Sequence, residues 1–220
     1  MSIENITLFS EMHAEPSWLQ DLRKKAFDKI DQLELPAIER VKFHRWNLGD
    51  GTITESEASA DVPDFTALDS NLKLVQFGTQ TVFEQVPQAL ADQGVLFTDF
   101  HSALEEIPQL VEDYFMSSVK YDDDKLAAYH TAYFNSGAVL YIPDNVEIEE
   151  AIEGIFYQDS DSDVPFNKHI LIIAGKNSKF SYLERLESKG SGSEKATANV
   201  TVEVIARSGA QVKFAAIDRL

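Results

Sequence analysis

Residues 125–143, KLAAYHTAYFNSGAVLYIP, mark the place where the chain changes from helix to strand. In residues 126–134 the apolar side chains recur at the spacing of one helix face. Asn and Gly in residues 135–137 predict the end of that helix, because both readily adopt the left-handed conformation that terminates helices. From Ala138 the apolar side chains follow the two-residue period of a strand, until Pro143 stops it. The sequence therefore predicts mixed helix and strand before this point and strand after it.

The part of the chain before residue 125 carries the signals of several short helices and strands. Apolar spacing and capping residues predict helices at residues 3–13 and 16–33, one opening at Pro87, one capped by Thr98 or Asp99, and one at residues 108–116. Alternating or β-branched runs predict strands at residues 41–45, 72–77, 81–85 and 95–97. A turn is predicted at residues 49–51 and a surface loop at residues 54–63.

Four more strands are predicted after Pro143, at residues 168–174, 179–187, 197–207 and 211–217. Three strands of this half are entered alike, by a tight turn and a small residue, from Ser136, Lys176 and Ser208. Recurrence after 40 and then 32 residues is typical of a solenoid, in which each coil buries its apolar side against the next. A jelly-roll or a sandwich would produce similar strings, so the strands alone leave both architectures open.

The charge of the chain is strongly acidic and unevenly distributed, with a formal net charge of −18 at pH 7. Acidic and basic residues balance in residues 151–220, so the whole acidic excess lies in residues 1–150. A field of that sign repels phosphate backbones and anionic lipids, which argues against nucleic acid or a membrane surface as a partner. The asymmetry also favours two regions, a mixed helical region at residues 1–135 and a region of solenoid strands at residues 136–220.

Several classes of protein are excluded by what the sequence lacks. No apolar run is long enough to span a membrane, and the first residues, MSIENITLFSEM, lack the basic residues of a signal peptide. The absence of cysteine excludes disulfides and thiolate sites. We therefore expect a cytoplasmic protein, with a chain long enough to bury a substantial core.

The sequence predicts no catalytic residue and no cofactor-binding residue. Three aspartates at positions 159, 161 and 163 suggest a calcium loop, but Val164 and Ile170 stand where an EF-hand needs Gly and Glu. The acidic run at residues 122–124 is interpreted as the amino-terminal cap of the next helix. No phosphate-binding loop and no catalytic triad signature is present.

The five histidines, at positions 13, 44, 101, 130 and 169, show no metal-ligand spacing. His130 lies on the helix that leads into the strands, and His169 stands at the start of an apolar strand. We interpret both as packing residues, with iron binding through partners elsewhere in the chain as the alternative. The identity of any metal ligand is left undetermined by the sequence.

Two stretches resemble the SufB/SufD family of iron–sulfur cluster assembly proteins, and its SufD branch most. One is the helix-to-strand stretch quoted above, with its aromatic pair followed by Asn-Ser-Gly-Ala-Val-Leu-Tyr-Ile-Pro. The other is GVLFTDFHSALEEIPQLVEDYFM, at residues 94–116. The segments HILIIAGKNSKFSYLERLES and RSGAQVKFAAIDRL, at residues 169–188 and 207–220, are also similar to the family, whereas residues 1–85 match it only loosely.

The resemblance implies a mixed α/β amino-terminal region followed by the first coils of a right-handed parallel β-helix. It also implies a noncatalytic scaffold subunit that takes part in iron–sulfur cluster assembly with a SufB-like subunit and the SufC ATPase. Because family members are longer, the chain is expected to be an incomplete fragment that stops within the β-helix, before the helices that hold SufC. The residues implicated in cluster building lie beyond this half, and the cysteine ligand of SufB has no counterpart here, so we expect no cofactor and carry over no functional residue.

Two other classes of protein would also use such strands. A β-helix polysaccharide lyase or hydrolase needs an export signal and carboxylates clustered on one face. A cupin-like binder of sugars or metals needs histidines on facing strands, and only His169 qualifies. The sequence favours the scaffold over both. Since the strand at residues 211–217 would leave an open coil, we also expect an end-to-end homodimer with two-fold symmetry.

Overall fold

The computed structural model describes residues 2–45, 51–57, 70–190 and 197–220. Within these ranges the chain is a mixed α/β protein, as the sequence predicts. Part of the turn predicted at residues 49–51 and part of the loop predicted at residues 54–63 lie outside the described residues.

Helices precede most of the strands along the chain. The helices are α1 (Ile3–Met12), α2 (Ser17–Lys29), α3 (Gln88–Ala91), α4 (Phe100–Glu106), α5 (Pro108–Tyr114) and α6 (Lys125–Tyr133). The strands are β1 (Lys73–Phe77), β2 (Gln80–Gln85), β3 (Leu96–Asp99), β4 (Ser136–Ile142), β5 (Glu147–Asp159), β6 (Phe166–Ala174), β7 (Lys179–Lys189), β8 (Ala198–Ala206) and β9 (Gln211–Arg219). They form a five-stranded sheet in the order β2-β1-β5-β7-β9 and a four-stranded sheet in the order β3-β4-β6-β8.

Two elements differ from the sequence prediction. The strand predicted at residues 41–45 is wrong, because Phe43–Arg45 forms a 3-10 helix closed by a hydrogen bond from Arg45 N to Lys42 O. The long strand β5 was not predicted. Its first half reads Glu-Ile-Glu-Glu, in which exposed glutamates outnumber the buried Ile148, so the apolar alternation that identifies strands is weak there.

Successive strands from β4 to β9 alternate between the two sheets, and neighbours within each sheet are parallel. In the pairs β4–β6, β6–β8 and β7–β9 each residue faces the one 32 positions later, as Ser136 faces Lys168 and Lys179 faces Gln211. A bulge in β5 before Ala151 shortens the interval between β5 and β7 to 30 positions for the rest of β5, as Ala151 faces Ser181. The first part of the chain extends both sheets, because β1 pairs in parallel with β5 and β3 pairs antiparallel with β4.

The turns that precede β5, β7 and β9 repeat at the same interval. Asn145, Asn177 and Gly209 all have a positive φ, of 64°, 55° and 76°. Asn and Gly are the residues that adopt this left-handed conformation at least cost. The backbone N of Asn145 and of Asn177 each bonds the carbonyl of the turn one interval later, and the Asn177 side chain donates to Asn145 Oδ1. The turns therefore stack on one another as the strands do.

The change from helix to strand at residues 125–143 is confirmed. Asp124 caps α6 by accepting a hydrogen bond from Ala127 N, the capping role predicted for the acidic run. Gly137 permits the close approach of β4 to β6, because a Cβ at this position would collide with the backbone oxygen of His169. The Asn-Ser-Gly sequence thus meets a packing requirement as well as a conformational one.

The described residues form three large apolar layers and a smaller cluster on β1 and β5 that consists of Val75, Phe77, Ile155 and Tyr157. One fills the space between the two sheets, with Leu140, Phe156, Ile170 and Phe180 among its buried members. A second lies between the four-stranded sheet and helices α2, α4 and α5. The third joins α1, α2 and α6. The polar side chains that are buried within or beside these layers define the candidate sites.

Candidate functional site

A polar cavity of about 240 Å³ opens where residues near the α1–α2 turn meet the β1–β2 turn and the start of β4. Its deep end is formed by Gln76, Asn135 and Ser136, all nearly fully buried. Its rim includes the more exposed side chains of His13 and Glu55. We refer to this space as the polar cavity.

Two histidines stack on each other at the rim of the polar cavity. The rings of His13, at the end of α1, and His101, in the first turn of α4, are 4.2 Å apart and 19° from parallel. His13 Nε2 lies 3.0 Å from Glu55 Oε1, but the angle does not give a hydrogen bond. Burial, and after it the neighbouring His101, lower the pKa of His13. His13 is therefore neutral near pH 7.

Behind these rings lies a buried ion pair between Glu15 and Arg23, with both side chains at 0% exposure. Arg23 donates from Nε and Nη2 to the two Glu15 oxygens at 2.8 and 2.7 Å, and from Nη1 to the carbonyls of Ala132 and Phe134. Burial alone would raise the pKa of Glu15, but the Arg23 charge and the hydrogen bonds around the carboxylate hold it well below its usual range. The pair ties the α1–α2 turn to the end of α6.

Lys168 approaches the deep end of the polar cavity from β6, and its side chain is fully buried. Nζ donates hydrogen bonds to Gln76 Oε1 at 2.9 Å, to the Gly78 carbonyl at 2.7 Å and to Ser136 Oγ at 2.8 Å. Burial lowers the pKa of Lys168 to about 7, and no charge of a described residue offsets that effect. Because Gln76 and Ser136 also line the cavity, a buried amine that is about half protonated at pH 7 lies directly behind its wall.

A chain of buried polar groups crosses the outer face of the four-stranded sheet. His130 Nε2 lies 3.0 Å from His169 Nδ1, and His130 Nδ1 lies 3.2 Å from Asn199 Oδ1. His169 Nε2 is 3.3 Å from Glu203 Oε2, without the angle of a good hydrogen bond. Burial lowers the pKa of His130 well below the usual value of a histidine. Burial also lowers the pKa of His169, and the Glu203 carboxylate opposes that shift only in part.

The Glu203 carboxylate holds the segment between α5 and α6. It accepts hydrogen bonds from the backbone N–H groups of Met116, Ser118 and Val119, at 2.6, 2.7 and 3.1 Å. Met116 has a φ of 52°, unusual for a side chain of this size. The strand thus supplies a buried anion around which the segment wraps, which assigns Glu203 a structural role.

The outer strands β8 and β9 border an apolar groove of about 540 Å³, which we call the edge groove. Val202, Phe214 and Leu220 line it, together with the carboxylates of Glu184 and Asp218. Glu184 is 2% exposed, and its Oε2 has no hydrogen-bond partner among the described residues. Burial, followed by the Asp218 charge, raises the pKa of Glu184 to about 7.

The predicted histidines separate into two places in the structure. His13 and His101 meet at the polar cavity, and His130 and His169 meet behind the four-stranded sheet. The side chain of His44 lies outside the described residues. No group of three or more His, Cys, Asp or Glu placed to hold a metal ion occurs in the described ranges.

Sequence reasoning missed the charged residues that organise these sites, namely Glu15, Arg23, Lys168, Glu184 and Glu203. A signal was present for two of them, Lys168 and Glu184. Each is a charged residue at a strand position where the apolar alternation predicts a buried side chain, as Lys168 is before the apolar run His-Ile-Leu-Ile-Ile. A charged residue at such a position is buried and needs partners.

Comparison with known proteins identifies the family. Residues 57–153 match the family described as SufBD protein N-terminal region. Residues 156–220 match the one described as SUF system FeS cluster assembly, SufBD core domain. This chain belongs to the SufBD family. The resemblance stated from the sequence is therefore confirmed.

Individual relatives extend the similarity over nearly the whole SufBD chain. It is 34% identical to the iron–sulfur cluster assembly protein SufD of Bacillus subtilis, over 99% of this chain and 52% of that protein. It is 29% identical to a SufBD family protein of Trieres chinensis and 25% identical to one of Staphylococcus epidermidis, over 96% and 97% of this chain. The chain spans about half the length of the curated relatives that it matches.

These descriptions place the chain in an iron–sulfur cluster assembly family, and the relative that is 34% identical to it is a SufD protein. They name assembly proteins rather than a catalysed reaction, in agreement with the expectation that this SufBD chain is not an enzyme. None of the helices in the described ranges has both the length and the apolar character needed to cross a bilayer.

Proposed function

We propose that this chain acts as part of a noncatalytic, SufD-like scaffold in iron–sulfur cluster assembly. The observation that supports the proposal is the match of residues 57–153 and 156–220 to one family, with 34% identity to a SufD protein. The polysaccharide-active enzyme and the cupin-like binder have no comparable support.

The strands from β4 to β9 are proposed to be the first coils of a right-handed parallel β-helix. Three features support this fold: the alternation between two sheets, the parallel register of 32 residues, and the left-handed turn residues that recur at the same interval. We also propose the division into residues 1–135 and 136–220, in which the first region covers one face and one edge of the coils.

The partners are proposed to be a SufB-like subunit and a SufC-like ATPase, acting in the cytoplasm. In this arrangement the matched half supplies packed, rigid coils rather than reactive groups. Its buried charges, such as the Glu15–Arg23 pair, hold secondary structure elements together. Nucleic acid and membrane surfaces are not proposed as partners, because the net charge of −18 repels both.

An end-to-end homodimer through β8 and β9 remains a prediction. It is supported by the exposed side chains of Phe214, Ile217 and Leu220 along the outer edges of the sheets. Against it, the described residues that line the edge groove include no basic side chain that could pair with Glu184 of a second copy.

The proposal is tested by co-purification with SufB-like and SufC-like subunits. A tagged chimera joins residues 1–220 to the part of the Bacillus subtilis SufD that this chain does not match, and the tagged 220-residue chain alone is the control. We expect the chimera to recover both subunits and the control not to retain the SufC-like subunit. Recovery of neither subunit by a soluble chimera, or stoichiometric retention of SufC by the control, would contradict the proposal.

A further inference from the structure

Three hydroxyl groups in the wall of the polar cavity are arranged as hydrogen-bond donors. The oxygens of Ser136, Thr79 and Thr81 already accept bonds from Lys168 Nζ, Ser56 N and Gln76 Nε2, at 2.8, 2.8 and 3.1 Å. Among the described residues, neither threonine hydroxyl donates a hydrogen bond, and that of Ser136 has only a 3.4 Å contact with Asn135 Oδ1. Their protons are therefore free to bond an acceptor inside the cavity.

The charge behind this wall has the sign that an anionic acceptor needs. Lys168 is fully buried, and the described residues that accept hydrogen bonds from its Nζ are all neutral, with two of them lining the cavity. Removing an ammonium from water is costly unless an opposite charge compensates it. A carboxylate on Ser136 would provide that charge one hydrogen bond away from Nζ. The lowered pKa of Lys168 agrees with a cation that lacks a counter-ion.

The rim of the cavity carries negative charge, opposite to the charge of the Lys168 ammonium group behind its wall. Glu55 and Asp99 both line it, and His13 beside Glu55 is neutral near pH 7. Asp99 already accepts hydrogen bonds at the start of α4, but its charge remains at the rim. Two carboxylates there disfavour a purely anionic ligand such as phosphate, and they favour a ligand whose outer end is cationic.

The size of the cavity suits a small ligand. At about 30 Å³ for each water-sized group, a volume of about 240 Å³ holds roughly eight of them. That room suits a small amino acid such as alanine.

We propose that the polar cavity binds a small zwitterion of the α-amino-acid class. The carboxylate of the ligand accepts hydrogen bonds from Ser136, Thr79 and Thr81, and its ammonium group lies toward Glu55 and Asp99. This site is separate from the scaffold role proposed above and does not depend on any partner subunit.

The test is an NMR chemical-shift titration of the ¹⁵N-labelled chain with L-alanine, acetate, methylammonium and inorganic phosphate as separate probes. We expect L-alanine to bind with a Kd of about 1 mM, which lies within the affinity ceiling for ligands of this size. Acetate, methylammonium and phosphate should each bind at least about tenfold more weakly, since each lacks one of the two matching charges.

Two variants and a control locate the site. Thr81→Val removes one donor and should weaken L-alanine binding about fivefold. Glu55→Gln should reduce the preference for L-alanine over acetate, a readout that a loss of folding would not mimic. Thr201→Val, on β8 outside the cavity, should leave unchanged both the Kd for L-alanine and the preference for L-alanine over acetate.

Three outcomes would overturn the proposal. One is the absence of any shift with L-alanine at concentrations well above 1 mM. Another is tighter binding of phosphate or acetate than of L-alanine, which would indicate a simple anion site. The third is an equal effect of Thr81→Val and Thr201→Val.

Discussion

Replacing Lys168 with methionine should flatten the dependence of stability on alkaline pH. The pKa of Lys168 falls from 10.5 to about 7 on folding, because burial disfavours its ammonium form. Between these values the unfolded chain binds more protons than the folded chain, so the free energy of unfolding rises with pH. The cost of burying the ammonium form of this lysine is absent above about pH 10.5 and grows as the pH falls toward 7.

The magnitude follows from the same two values. Each pH unit in this window changes the free energy of unfolding by at most about 1.4 kcal/mol. Since Lys168 is already half neutral at pH 7, the wild-type chain should gain about 2 kcal/mol between pH 7 and pH 9. Methionine removes the cost of burying the amine but leaves three acceptors without a donor, at about 1–3 kcal/mol each, so the change at a single pH combines two opposing effects. The slope is therefore the quantity to compare.

Urea unfolding at pH 7, 8 and 9, followed by circular dichroism, measures that slope. The Lys168→Met variant should lose it, and Lys176→Met, at an exposed turn position, should keep the wild-type value. A wild-type curve that is flat from pH 7 to pH 9, or a Lys168→Met variant that keeps the full slope, would refute this reasoning.

Three further predictions concern the other buried charges and the edge strands. Glu184, whose pKa rises from 4.5 to about 7, should cost the folded chain about 3 kcal/mol as the pH rises between those values, and Glu184→Gln should abolish this loss in urea unfolding. Arg23→Met should lower the free energy of unfolding by about 3–5 kcal/mol by leaving Glu15 unpaired, and a smaller loss in the Glu15→Gln background would establish the coupling. Light scattering over a concentration series should detect self-association that a Val212→Lys, Phe214→Lys variant abolishes; a monomeric wild type would contradict the homodimer.

The strands and helices that the sequence predicted are those whose signals are local. The change of period around residues 135–137 depends on neighbouring residues alone, and the structure ends α6 and begins β4 there. The strand β5 was missed because its exposed glutamates hide the buried residues that alternate with them. The sequence of a long strand with a charged outer side resembles that of a loop unless the pairing partners of the strand are known.

The bonding partners of the buried charges were beyond the reach of the sequence for a different reason. Arg23 bonds carbonyls more than 100 positions away, and Lys168 bonds Gln76 across 92 positions. No spacing rule relates residues so distant, because their proximity is produced by the packing of helices and strands. The 32-residue recurrence of Asn145, Asn177 and Gly209 is the exception, since a periodic turn residue can be found in the sequence alone.

The central claim, that residues 1–220 form a functional half of a SufD-like scaffold, is tested most directly inside cells. In Bacillus subtilis, the matched half of SufD is replaced by residues 1–220 of this chain, and the activity of an iron–sulfur enzyme is compared with the wild type and with a strain lacking the matched half. We predict that the chimera restores most of the wild-type activity. A chimera that accumulates normally but gives no more activity than the deletion would contradict the account.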